Sequence, residues 1–193
     1  MRSIVLSVFF MFIAVGCDDH VEKVDVSSSW NSIMTKLEKS ESALTTINPM
    51  NRGVVVKTAN QIEKYASELY LNHINELDTV SLEYVLECLA KSAEIQSNYN
   101  AAIDFFNEAQ ALNPSSEKAP AYLHNVARIH DHVLGNKELA KSSYERLINL
   151  YPDHPLSKNA TIYLENIFDK SEEDLLKMIN KNNSCLLYTS PSP

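Results

Sequence analysis

The chain has 193 residues, 45% apolar and 22% charged, which suits one folded domain with a real core or a short repeat array. Only three glycines occur, too few for the turn-rich compact β proteins or nucleotide-binding α/β folds, so helices are favoured. A net charge of -8 without a basic cluster argues against phosphate-backbone binding, so no nucleic-acid partner is expected, and solubility accounts for the charge.

The chain opens "MRSIVLSVFFMFIAVGCDD". Arg2 precedes an apolar run from Ile4 to Gly16, too short to span a bilayer comfortably and laid out as a secretory signal. "AVGC" resembles the lipobox of bacterial lipoproteins, with Ala14 where Leu is commoner. The resemblance implies that residues 1–16 are a signal peptide and that Cys17 is the lipidated first residue of the mature chain. The membrane is then a partner through that lipid, and two or three acyl chains anchor stably. Asp18 and Asp19 follow as a sorting signal. In enteric bacteria an Asp after the lipidated Cys resembles inner-membrane retention; in Bacteroidota, acidic residues there resemble a surface-export signal. The expected address is the cell envelope, with the outer membrane, on its periplasmic or surface face, ahead of the inner membrane. Residues 17–28 are polar and aperiodic and read as a tether.

Ser29 reads as the N-cap of an amphipathic helix marked by Trp30, Ile33, Met34, Leu37, Leu44 and Ile47 and ended near Pro49. Ala59 and Ala66 come next, seven residues apart. Then "AAIDFFNEAQALNP" places Ala102, Phe106, Ala109 and Pro114 at offsets 0, 4, 7 and 12. "AKSSYERLINLYP" repeats the offsets with Ala140, Tyr144, Leu147 and Pro152. Offsets 0, 4 and 7 share one helical face. The small residue admits a neighbouring helix, the aromatic fills the space beside it, and Pro stops the helix. Partner helices precede both: Leu86, Leu89, Ala90 and Ala93 before the first, Leu123, Val126, Ala127 and His130 before the second. Repeated antiparallel helix pairs predict an all-α helical solenoid over residues 29–183.

These residues resemble the tetratricopeptide repeat, with its A-x3-F step and closing Pro. The first helices carry Leu or Ala at the family's Trp and Gly positions, so the likeness rests on the second helices. The 38 residues from Ala102 to Ala140 exceed the usual period by about four. A third unit follows Pro152, with Leu156, Ala160 and Tyr163 on its first helix and "SEEDLLKMI" as its second. Ser171 and Asp174 read as a capping-box variant there. Taken with "GCDD", the chain resembles the small tetratricopeptide-repeat lipoproteins of Bacteroidota. More distantly it resembles the lipoprotein subunit of the outer-membrane β-barrel assembly machine. The resemblance implies a concave face of first helices that takes peptides or other envelope proteins, drawing here on Glu87, Lys91, Asn125, Arg128 and Lys158. At the C-terminus, "CLLYTSPSP" resembles an in-frame sequencing-adapter read-through, so residues 184–193 are set aside as non-native.

No phosphate loop, Rossmann glycine pattern, nucleophile elbow or HExxH is present. The three cysteines, Cys17, Cys88 and Cys185, fit no zinc or CxxC spacing, and Cys88 reads as a small buried hydrophobe. His130 and His132 point apart on a helix and suit a metal poorly. The expectation is a non-enzymatic interaction scaffold without cofactor or metal. Three alternatives are an assembly factor for outer-membrane β-barrel proteins, a glycan-active envelope enzyme and a purely structural spacer. The enzyme needs a buried carboxylate pair, which the sequence does not reveal.

Overall fold

The computed structural model describes residues 26–186. The expected signal 1–16, Cys17, Asp18, Asp19 and the tail beyond Leu186 lie outside the described residues. Eight α-helices follow in order: α1 Val26–Thr46, α2 Arg52–Asn72, α3 Thr79–Ile95, α4 Tyr99–Leu112, α5 Ala119–Arg128, α6 Lys137–Leu150, α7 Pro155–Asn166 and α8 Glu172–Leu186. A 3₁₀ turn, Ile74–Glu76, precedes α3, and a π-helical turn, Ile129–Val133, extends α5. The chain is an all-α helical-repeat solenoid. From α1 to α7 each helix packs on the next.

Three apolar clusters hold the array, and each spans three consecutive helices. Leu37 of α1, Ile62 and Leu69 of α2, and Val85 and Cys88 of α3 form the first. Leu86 and Ala90 of α3 turn the other way and join Ala102 and Phe106 of α4 and Tyr122 of α5. Leu123 and Ala127 of α5 then meet Tyr144 and Leu147 of α6 and Ala160 of α7. Thus α3 and α5 each serve two clusters, which is why these first helices are apolar on two sides.

Ala90, Ala102, Ala109, Ala127, Ala140 and Leu147 are wholly buried. Phe106 and Tyr144 fill the space beside the small residues at 1% and 3% exposure. The Phe106 ring stacks on Tyr122 with centroids 6.0 Å apart. Pro114 and Pro152 sit exposed at the first position of the turns after α4 and α6. The second helices start alike. Asn51, Asn98 and Asn136 precede α2, α4 and α6, and the side chains of Asn51 and Asn136 accept the backbone N–H groups of Val54 and Leu139. Three of the first helices, α3, α5 and α7, also stop alike, on a left-handed residue: Ser97 after α3, Gly135 after the π turn and Asp169 after α7. Gly135 adopts this conformation without the steric cost that Ser97 and Asp169 carry.

One boundary differs from the sequence reading. Helix α1 begins at Val26, so Ser29 lies inside it instead of capping it. No Pro or Gly interrupts residues 26–29, and a serine outside a cap is tolerated in a helix. Helix α8 begins as read: Ser171 Oγ accepts the Asp174 N–H at 3.1 Å and donates to the Asp174 carboxylate at 2.6 Å. Between residues 172 and 180, however, α8 buries no side chain, and Leu176 and Ile179 stand 53% and 55% exposed.

Replacing Ala102 with Leu forces three carbons into a wholly buried site. The expected cost is about 3 kcal/mol, the upper end of ordinary overpacking. Thermal unfolding followed by circular dichroism checks this. An unchanged midpoint would contradict the close approach of α3, α4 and α5.

Candidate functional site

The first helices α1, α3 and α5 carry a polar network built on carboxylates of α3. Glu83 and Glu87 stand one turn apart on α3 and are 5% and 9% exposed. Lys91, another turn on, ion-pairs with Glu87 at 2.6 Å and reaches Glu41 of α1 at 3.7 Å. Lys118, just before α5, ion-pairs with the other oxygen of Glu87 at 2.7 Å. The Tyr122 hydroxyl of α5 lies between the two carboxylates, 3.1 Å from Glu83 and 3.4 Å from Glu87. Asn113 Nδ2 donates to Glu83 at 2.7 Å. Farther along, Arg128 of α5 ion-pairs with Glu94 of α3. The three first helices are thus tied laterally by charge.

The electrostatics follow from this geometry. Burial pushes the Glu87 carboxyl up, but the hydrogen bonds and charges of Lys118 and Lys91 outweigh it and hold the group below its ordinary 4.5. Burial likewise opposes the Lys91 ammonium, and Glu87, with Glu41, raises it instead. Burial and the neighbouring carboxylates keep the Tyr122 phenol protonated. Burial pushes the Cys88 thiol up to about 12, so it is an unreactive core residue.

Glu83 and Glu87 are a buried carboxylate pair that the sequence reading missed. Two glutamates at i and i+4 read as an exposed stripe, and their partners Asn113, Lys118 and Tyr122 lie 30 to 39 residues away. Lys91 and Lys118 keep Glu87 ionised, so of the two roles in glycoside hydrolysis Glu87 suits the base or nucleophile and not the acid.

Beside this network lies a cleft of about 510 Å³. Met34 and Glu38 of α1 form one wall, and Val80, Glu83 and Tyr84 of α3 the other. The turn 113–118, with Glu117 and Lys118, closes its end. Of the residues expected on this face, Glu87, Lys91 and Arg128 belong to the network. Asn125 is half-buried and Lys158 exposed, and neither joins an ion pair.

A second polar centre closes the other end of α5. The Asp131 side chain lies in the π turn and is fully buried. It receives the Lys137 ammonium at 2.6 Å and the Tyr163 hydroxyl, so one carboxylate joins α5, α6 and α7. Burial raises this carboxyl, but Lys137 and Tyr163 prevail and hold it below its ordinary 3.8. The Lys137 ammonium also sits 4.9 Å over the Phe168 ring. His132 is exposed, while burial lowers His130 and keeps it neutral. Among the described residues no three His, Cys, Asp or Glu side chains cluster for a metal, and no helix is long and apolar enough to cross a membrane.

The second helices are tied in the same way. Tyr70 of α2 donates to Glu108 of α4 at 2.7 Å, and Arg146 of α6 donates to Asn107 of α4 at 3.1 Å and also to Gln110. Paired helices, a lateral repeat and polar ties on both faces define a helical-repeat protein. Residues 120–154, the unit made of α5, its π turn and α6, match the family model of the tetratricopeptide repeat, so the chain contains that repeat. No curated protein and no solved structure matches the chain.

The depressed Asp131 gives a signed prediction. A carboxyl held below its unfolded value stabilises the fold above that value, and the contribution fades as pH falls through the folded value. Asp131→Asn should lose about 1–3 kcal/mol at neutral pH, the range for hydrogen bonds to a buried charge. The gap to the wild type should narrow below pH 3.8. Urea unfolding at neutral and acid pH checks both, and an equal gap at the two would show that the Asp131 charge is not held.

Proposed function

We propose that the chain is a non-enzymatic protein-binding scaffold of the bacterial cell envelope, anchored by lipid at Cys17. The observation that carries the scaffold reading is the surface of α1, α3 and α5, where lateral ion pairs set a preformed cleft beside a tetratricopeptide repeat. Preformed surfaces of this kind lose little conformational entropy on binding. Tetratricopeptide repeats generally mediate protein–protein contacts, and the partners proposed here are other envelope proteins or their extended segments. The anchor reading is supported by "AVGC" after an apolar run, and the outer membrane is the proposed address.

A photo-crosslinking residue at Tyr84, on the cleft, is expected to capture a discrete protein partner in cells. The same residue at Glu145, exposed on α6, should not capture it. Equal products from both positions, or none from Tyr84, would refute the scaffold reading. Cys17→Ser should move the protein from membranes to the soluble fraction, and retention in membranes after a salt wash would refute the anchor.

A further inference from the structure

We infer that the cleft between α1 and α3 is a subsite for a cationic side chain, best an arginine, presented by an extended partner segment. This rests on the scaffold reading and names the chemistry its surface selects. The central observation is a contrast between two carboxylates one turn apart. Glu87 is buried and holds two ammonium groups, Lys91 and Lys118. Glu83 is buried more deeply, yet only neutral donors, Asn113 and Tyr122, reach it. A buried carboxylate without a cation is the position where an incoming cation gains most.

The cleft wall repeats that preference. Glu38 and Glu117 line it and make no ion pair, while the one lysine there, Lys118, is committed to Glu87. Three carboxylates therefore line the space, none of them ion-paired, against a single lysine that is. Lys118 also shows how a cation sits on this wall, with its ammonium 5.9 Å from the Tyr84 ring centroid. A guanidinium can stack on the outer part of that ring while its stem lies along Met34. The first turn of α3 opens toward the cleft, but Asp78 already accepts its free Ser81 N–H at 2.7 Å, so that end does not call for an anion.

The test uses the full chain and three five-residue peptides, acetyl-Gly-Leu-X-Leu-Gly-amide, with X as arginine, citrulline or glutamate. Citrulline keeps the arginine shape without its charge. Amide shifts of Ser81, Tyr84 and Lys118 report occupancy. The arginine peptide should bind at least about tenfold more tightly than citrulline, a difference of about 1.4 kcal/mol. It should weaken with added salt, and lose about fivefold in the Glu38→Gln, Glu117→Gln double variant, whose two exposed sites make no ion pair. Equal binding by citrulline, preference for glutamate, or no saturable shift with arginine up to about 10 mM would overturn the inference. If Tyr84 still captures a partner in cells under those outcomes, the scaffold reading stands and only the cation preference falls. If neither result appears, both fall.

Discussion

Helices can stack this closely only where their contact residues are small. Ala59, Ala66, Ala90, Ala102, Ala109, Ala127 and Ala140 are wholly buried, one or more on every helix from α2 to α6. At such positions backbones approach, and the larger neighbours, Phe106 and Tyr144, fill the flanking volume. A single pair of these helices cannot bury its apolar surface alone. Stacking completes the burial, and α3 and α5 therefore contribute to two clusters each.

Close stacking fixes where the charges go. Once α1, α3 and α5 lie side by side, side chains too long for the core meet between them. Glu41, Lys91, Glu87 and Lys118 form a chain of alternating sign across that surface. Exposed ion pairs contribute little singly, but Glu87 is buried, and losing both lysines would leave its charge without compensation. The network stiffens the surface and defines the cleft beside it. Asp131 plays the matching part at the far end, where it orders the π turn against α6 and α7. π turns are often found at functional positions, and here the turn serves to bring one carboxylate to three elements.

Much of the fold was legible in the chain. The spacing of Ala102, Phe106 and Ala109, repeated at Ala140, Tyr144 and Leu147, is a periodicity of local origin, and local periodicity survives in sequence. The helix starts at Asn51, Asn98 and Asn136 are equally local, but the sequence reading did not use them. The site was less legible. Glu87, Lys91 and Arg128 were expected on the concave face from the repeat resemblance, but Glu83 drew no reading. Its burial depends on Asn113 and Tyr122, which only tertiary packing brings near. Asp131 was hidden for the same reason: "IHDHV" reads as a continuing helix end, and nothing local marks a carboxylate that Lys137 and Tyr163 will cover. The unpacked apolar side of α8 was not legible either, since its amphipathic pattern is that of a helix with a partner.

The most direct measurement is the titration of the Glu87 side-chain carboxyl by carbon NMR in the folded chain. Simultaneous pairing with Lys91 and Lys118 requires a midpoint below the ordinary 4.5 and loss of that depression in Lys118→Met. A midpoint at or above 4.5 would mean that burial dominates, that Lys118 does not reach across from α5, and that the first-helix surface is not the preformed structure described above.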